Sequence, residues 1–439
     1  MSLSRSMVRA ARQLTLDRLP ADVVAKVKIG LLDFLSCAFE ARELPWGCQA
    51  IRMASNASGP STVIGTPVQT SPAEAAFANA TLGHGLVRED MHTGAVSHLG
   101  VVIFPALLAL AQRRKASGRD FILGAVCGYE IGAAVGRAIM DREMVRRFRP
   151  TGITGPLAGA IAGSRLLALD EDATVSALGF AANATCGLNE WPYCGGDEMF
   201  FHPGFSARNA VTAVELAWLG ARASESALDG RAGLFAALGK ADRISRVTPF
   251  SGGPLEILSV YYKPAPACNY AQTACQAALA LTGQDGFRSG DIQSIVVKAS
   301  EAAVGYPGCD YGGAFDRILQ AKMSIQYCVA ATLARGAIEE RNYHLLQDPE
   351  VNRLVSITKL ETDAAFTAAY PAAQGSEVIV ALRDGQTWRY RMDDVVAAPP
   401  EQIRARFRSV CANWRAIEEM IEELEVQEDM SILSGGLAA

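Results

Sequence analysis

Histidine is scarce in this chain, five in 439 residues, and there is no surplus of positive charge, since 41 basic residues face 46 acidic ones. A net charge of -5 with no extended Lys/Arg block offers no electrostatic footprint for nucleic acid, and the cluster of Arg146, Arg147 and Arg149 is too short to change that. The ten cysteines include no Cys-x-x-Cys pair and no disulfide-framework spacing, so they are expected to be reduced thiols. No apolar run approaches the length of a membrane span; the longest covers residues 101–111, and the first residues lack the apolar region of a signal peptide. A soluble, cytoplasmic protein with neither nucleic acid nor membrane as partner is therefore expected. Gly83-x-Gly85 lacks the third glycine of a dinucleotide loop, and no Gly-Lys-Ser/Thr, His-Glu-x-x-His or Gly-x-Ser-x-Gly sequence occurs.

What histidine there is lies together. His84, His92 and His98 fall in one stretch with Arg88, Glu89 and Asp90, directly ahead of the apolar residues 101–111. A polar loop delivered to the start of a buried helix suits proton transfer, because first-turn amides and the helix dipole favour an anionic substrate. The alternative is a solvated loop with capping side chains. The three histidines cannot all share one helix face, and no thiol or second carboxylate cluster adjoins them, so no metal is expected.

Residues 23–39 repeat apolar side chains with a period near 3.6, predicting an amphipathic helix with Asp22 as its N-cap. Helical segments rich in Ala and Gly follow at 73–82, 105–114, 121–141, 155–169, 174–184 and 206–220, a composition that lets helix backbones approach closely. After about Ala267 the pattern turns to alternation at 292–298 and 356–361, and to a hairpin at 377–391 with an Asp384-Gly385 turn. Helical stretches at 270–281 and 321–335 lie between. Past Ala397-Ala398-Pro399-Pro400, helices return at 401–426. The expected architecture is mainly α with an α+β part: a helical domain from residues 1–266 and 399–439, and an α+β domain at 267–398.

The loop with its Phe104-Pro105-Ala106 helix, Phe201-His202-Pro203-Gly204, Asp229-Gly230-Arg231-Ala232-Gly233 and Lys263-Pro264-Ala265-Pro266-Ala267-Cys268 resemble, in that order, the MmgE/PrpD family. That family includes 2-methylcitrate dehydratase, cis-aconitate decarboxylase and iminodisuccinate epimerase. The resemblance implies a large all-helical domain built from both chain ends, a smaller α+β lid, a homodimer, and an active site between the domains without metal or other cofactor. Family members read Asp-Phe-Asp-Asp-Thr and then His-Pro where this chain is matched as Arg88-Glu89-Asp90-Met91-His92 and His98-Leu99. His98 then corresponds to the family's catalytic histidine, and Lys263 to its lysine in the lid segment. A family Phe-His-Pro-Thr appears as Phe148-Arg149-Pro150-Thr151, Met199 stands for a lysine, and Ser324-Ile325-Gln326-Tyr327 resembles a Phe-Ser-x-x-Tyr helix.

On these grounds His98 and Lys263 are the candidate proton carriers: an imidazole near pKa ~6.5 takes and gives protons at neutral pH, and burial or nearby cations would make the lysine a usable base. Asp90 and His92, also candidate catalytic residues, are expected to orient or pair with one another, the first having a loop-cap alternative. Arg88 and Arg149 are expected to bind substrate carboxylates in bidentate forks, against the alternative of surface salt bridges. His202, Cys268 and Tyr327 are candidate pocket groups, with core packing as the alternative. The expected function is a cofactor-independent lyase that abstracts a proton α to a carboxylate of a small di- or tricarboxylate and eliminates a β group, as a dehydratase does. An epimerase (isomerase) or decarboxylase of a similar polycarboxylate is the alternative, and an inactive binding protein is the alternative of another class.

Overall fold

The computed structural model describes residues 1–185 and 187–438, so Cys186 and Ala439 lie outside the described residues. Its frame is three long helices, Gly118–Ile139, Pro150–Leu166 and Glu198–Trp218, packed in sequence order. Glycines placed every fourth residue let them approach. Gly155, Gly159 and Gly163 meet Ser206, Ala210 and Val214 across one interface, and a Cβ added at Gly159 would lie 2.6 Å from the Ala210 methyl. Gly124, Gly128 and Gly132 do the same toward Ala158 and Ala162 on the other side. Rows of residues four apart are the ridges by which helices interdigitate, so this spacing sets which faces meet. The helix Gly118–Ile139 has the length and apolarity of a membrane span, and its apolar stretch is 94% buried.

Both chain ends join this core. Leu3–Arg12 packs on Glu171–Asn183, Pro400–Val410 packs on Ala21–Glu40, and Met7, Val8, Ile403, Phe407 and Ile417 belong to one buried apolar cluster. A second cluster lies around a four-stranded sheet in the order Thr358–Thr362, Ile292–Ala299, Ser376–Leu382, Thr387–Met392, its first pair parallel and the others antiparallel. The helices Gln272–Thr282 and Ile325–Arg335 cover the sheet. The protein is thus mainly α with an α+β part.

Three local expectations change. The helix Ala21–Glu40 is capped by Pro20, whose fixed φ of -59° leads straight into it, and Asp22 sits inside the first turn. The stretch 321–335 is two helices, Ile318–Met323 and Ile325–Arg335, because the Ser324 hydroxyl turns back to accept the Tyr327 N–H. The helix expected from residue 105 begins at Gly100, with Pro105 inside it.

Candidate active site

That early start has a remote cause. The Asp90 carboxylate, ten residues upstream, accepts the Gly100 N–H at 3.2 Å and the Tyr129 hydroxyl at 2.6 Å, so it serves the helix Gly100–Arg114 as an N-cap. Gly100 leaves the space this needs, since an added Cβ would stand 2.5 Å from the Tyr129 oxygen. Between His84, the last residue of Pro72–His84, and this cap, the backbone passes through left-handed conformations at Val87 and Val96. Met91 and His92 pair antiparallel with Tyr261 and Val260. This two-residue ladder brings Lys263 under the loop although 165 positions separate it from His98. Lys263 Nζ donates to the Val87 carbonyl, and Lys322 Nζ donates to the neighbouring Leu86 carbonyl at 3.0 Å. Arg406 holds the other side of the segment by donating to the carbonyls of Lys263 and Pro264, at 3.0 and 2.8 Å.

Glu89 is the electrostatic centre. It is 1% exposed and receives the Nδ1–H of His84 and, at 3.0 Å, that of His98, which is shared with the Asp90 carbonyl at 2.9 Å. Arg149 in turn donates to His84 Nε2 at 3.2 Å. Each imidazole thereby has its proton on Nδ1, and among the described residues His98 Nε2 has no hydrogen-bond partner. Burial raises the Glu89 carboxyl, but His84 and His98 outweigh it and hold the group well below the usual carboxylate range. Burial pushes His98 down to about 3, only partly offset by Glu89, and lowers Lys263 to about 8 by the same balance. The imidazole expected to titrate near neutrality is instead held neutral.

His98 lines a nearly closed cavity of about 20 Å³, together with Val87, Met91, Val96, Arg149, Met199, Cys268, Asn269, Tyr270, Tyr306 and Met323. Room for a water or two is all it offers in this closed form. Val96, Tyr270 and Tyr306 separate it from a vestibule of about 310 Å³ between the helical core and the α+β part, bridged by the Arg142–Glu301 ion pair at 2.8 Å. The Cys268 thiol lies 3.6 Å from that of Cys309, whose hydrogen bond, with Lys263 and Arg149 nearby, lowers its pKa.

Arg149, His98 and Cys268 therefore share the cavity, with Lys263 wholly buried behind it. His202 is buried beside Arg149 and His84, its Nδ1 without a partner and its pKa lowered to about 3 by burial and then by those cationic or like-charged neighbours. Lys263 and His202 thus lie behind the cavity rather than on its wall, and four further expected site residues are not cavity groups. Asp90 is consumed as the helix cap just described. His92 Nε2 meets Glu256 at 2.8 Å and its Nδ1 accepts the Ala95 N–H. Arg88 points to the opposite side of the loop, donating to Glu40 at 2.6 Å in a cleft of about 550 Å³ that also holds Arg406. Tyr327 packs within the α+β part and donates to the Asn342 carbonyl at 3.0 Å. The reason is one of register: a loop residue and its successor face opposite ways, and the cavity-facing positions are Val87 and Met91.

Glu89 and His84 went unassigned by sequence, although an acid five residues past a helix-terminal histidine was a usable signal. With His98 they bring three possible metal donors within 4.8 Å, while His92, the third histidine of the loop, stands apart on Glu256. The donor set suits hydrogen bonding better than an ion. The one Glu89 oxygen already accepts from both imidazoles, and Arg149 and Lys263 place positive charge where a cation would sit.

Residues 5–246 match the family model of the MmgE/PrpD N-terminal domain, and residues 265–429 that of the C-terminal domain. The chain belongs to the MmgE/PrpD family. A cis-aconitate decarboxylase of Aspergillus terreus is 33% identical over 233 residues, 51% of this chain and 47% of that protein, so the chain spans about half the length of this relative. A cis-aconitate decarboxylase-like protein of Aspergillus oryzae is 28% identical over 94% of this chain and 93% of its own length. The mouse cis-aconitate decarboxylase is 26% identical over 99% and 93% respectively.

Proposed function

We propose that this MmgE/PrpD member is a lyase for a small carboxylic acid, working by α-proton abstraction and elimination of a β group without a cofactor. The observation that carries it is Arg149, a guanidinium only 7% exposed that has no carboxylate partner among the described residues and shares a cavity with the free Nε2 of His98. A buried guanidinium without a counter-ion is costly unless a ligand supplies one, and a substrate carboxylate fits its planar fork.

With Nδ1–H committed to Glu89 and Asp90, Nε2 of His98 offers its lone pair to the α-proton. A pKa of about 3 makes the empty-site imidazole a weak base. An anion at Arg149 raises its proton affinity, because the imidazolium then lies between two negative groups, Glu89 and the substrate. The Lys263 ammonium, protonated up to about pH 8, neutralises charge developing on the carboxylate and supplies the proton that a departing hydroxide needs. The cavity must open for substrate, and the Tyr270 and Tyr306 wall toward the vestibule is the shortest way in.

The names of the relatives favour decarboxylation as a second reading. There the carboxylate leaves as carbon dioxide and Lys263 protonates the carbanion, with no base required. A panel of small acids incubated in deuterium oxide tests both. Deuterium at the α-carbon with an alkene product supports elimination, released carbon dioxide supports decarboxylation, and exchange without net product points to epimerisation. If no acid exchanges or turns over, the enzyme reading falls. Homodimerisation belongs to the same proposal, with sedimentation as its measurement.

A further inference from the structure

Charge and wall chemistry together limit what this cavity can hold. With both imidazoles neutral, the ionised groups around it are Arg149, Lys263 and Glu89, a net of one positive charge; Lys322 is already matched by Glu340. One substrate carboxylate brings the site to neutrality. A second leaves one uncompensated negative charge and a third leaves two, in a space with room for a water or two at most. Most of the remaining polar wall groups are engaged: Asn269 accepts from Tyr261 and donates to Gln374 at 2.6 Å, and Tyr270 meets Tyr370 at 3.0 Å, while the Tyr306 hydroxyl accepts the Asn189 amide at 3.4 Å and keeps one neutral O–H donor.

Met91, Met199 and Met323 are 2%, 0% and 3% exposed and line the cavity with Val87, and Val87, Met199 and Met323 belong to one buried apolar cluster. Met199 stands where the family resemblance places a lysine, and methionines are flexible, polarizable side chains that adapt to alkyl groups. The Met199 Sδ lies 2.8 Å from His84 Nε2, a nitrogen that already accepts from Arg149, so the thioether packs against the ring edge without a hydrogen bond.

Resting on the lyase reading, we infer that the substrate carries a single carboxylate, held by Arg149, and an alkyl arm that packs against Met91, Met199 and Met323. This narrows the di- or tricarboxylate expected from the sequence. Calorimetric titration of the whole protein with three unreactive acids of similar size tests it: hexanoate, 2-propylsuccinate and propane-1,2,3-tricarboxylate. Hexanoate should bind at least about 100-fold more tightly than the tricarboxylate, with 2-propylsuccinate between, because each surplus carboxylate is buried unpaired. Shortening hexanoate by one methylene should weaken binding about fourfold. Met199→Lys should move the order toward the tricarboxylate, and Met323→Lys, on the opposite side of the cavity's polar groups, should do so if Met199→Lys does not fold. Tightest binding of the tricarboxylate to the wild-type protein, or no binding of any of the three, overturns the inference. Turnover is read separately: a protein that binds hexanoate in this order but exchanges no α-proton in any acid loses the lyase reading and keeps the ligand class, whereas one that turns over only tricarboxylates keeps the lyase reading and loses the ligand class.

Discussion

Residues 84–98 present one face to the small cavity and the other to the 550 Å³ cleft behind, and the two faces hold their charges in opposite ways. Away from the cavity the loop's polar groups are matched: Arg88 by Glu40, His92 by Glu256, and Asp90 by a hydroxyl and a helix N-terminus. On the cavity face, among the described residues, Arg149 has the His84 nitrogen but no carboxylate and His98 Nε2 has no partner, while Glu89 fixes the imidazoles from behind. Matched groups hold a structure in place; unmatched buried ones wait for a ligand. The larger cleft is the poorer candidate because, among the described residues, its Arg88 is paired with Glu40, its Arg406 is spent on the Lys263 and Pro264 carbonyls, and no imidazole lines it.

The sharpest way to break this contrast is His98→Gln, which keeps a polar group of similar size but removes the base. Turnover should fall by roughly 10²-fold or more, the usual scale for losing a general acid or base, with kcat rather than KM affected. The same variant reads the burial of the imidazole. His98 is held near 3 in the folded protein and titrates near ~6.5 when unfolded, so between those values the unfolded state binds more protons and stability falls as the pH falls. Wild-type protein should therefore lose stability from about pH 6.5 downward, and His98→Gln should lose less over the same window, as followed by urea melts.

Next in size is the effect of Lys263. Its ammonium is lost through about pH 8, so kcat/KM should decline about tenfold per pH unit above that value. Lys263→Arg, if active, should lack this decline, and an unchanged alkaline limb would remove the lysine from the mechanism.

Asp90→Ala sharpens the contrast from the rear. It should cost about 1–3 kcal/mol of stability by leaving the Gly100 N–H and the Tyr129 hydroxyl unpaired, while Asp90→Asn, whose single amide oxygen can still accept one of the two, should lose less. The surviving folded Asp90→Asn protein should turn over within a few-fold of wild type. A loss as large as that of His98→Gln would place Asp90 on the chemical side after all. The smallest effect is expected from Arg88→Gln: a change of less than about threefold in kcat/KM, because its guanidinium serves only Glu40 in the rear cleft.

The sequence by itself determined the layers of this protein. Helical periodicity and glycines four residues apart specify which helix faces can meet, and alternation in 292–298 and 377–391 specifies a sheet, because these are local patterns read against fixed geometric periods. It also singled out His98, Arg149 and Lys263, since titratable groups are few and their motifs resemble a family. The tertiary structure alone decided which of the neighbouring charges face the cavity. That choice depends on left-handed turns at Val87 and Val96, on a two-residue ladder between Met91-His92 and Val260-Tyr261, and on Asp90 capping a helix ten residues away. None of these leaves a periodic trace in the chain. A shift of one residue along an extended loop exchanges its two faces, so Glu89 enters the site and Arg88 leaves it.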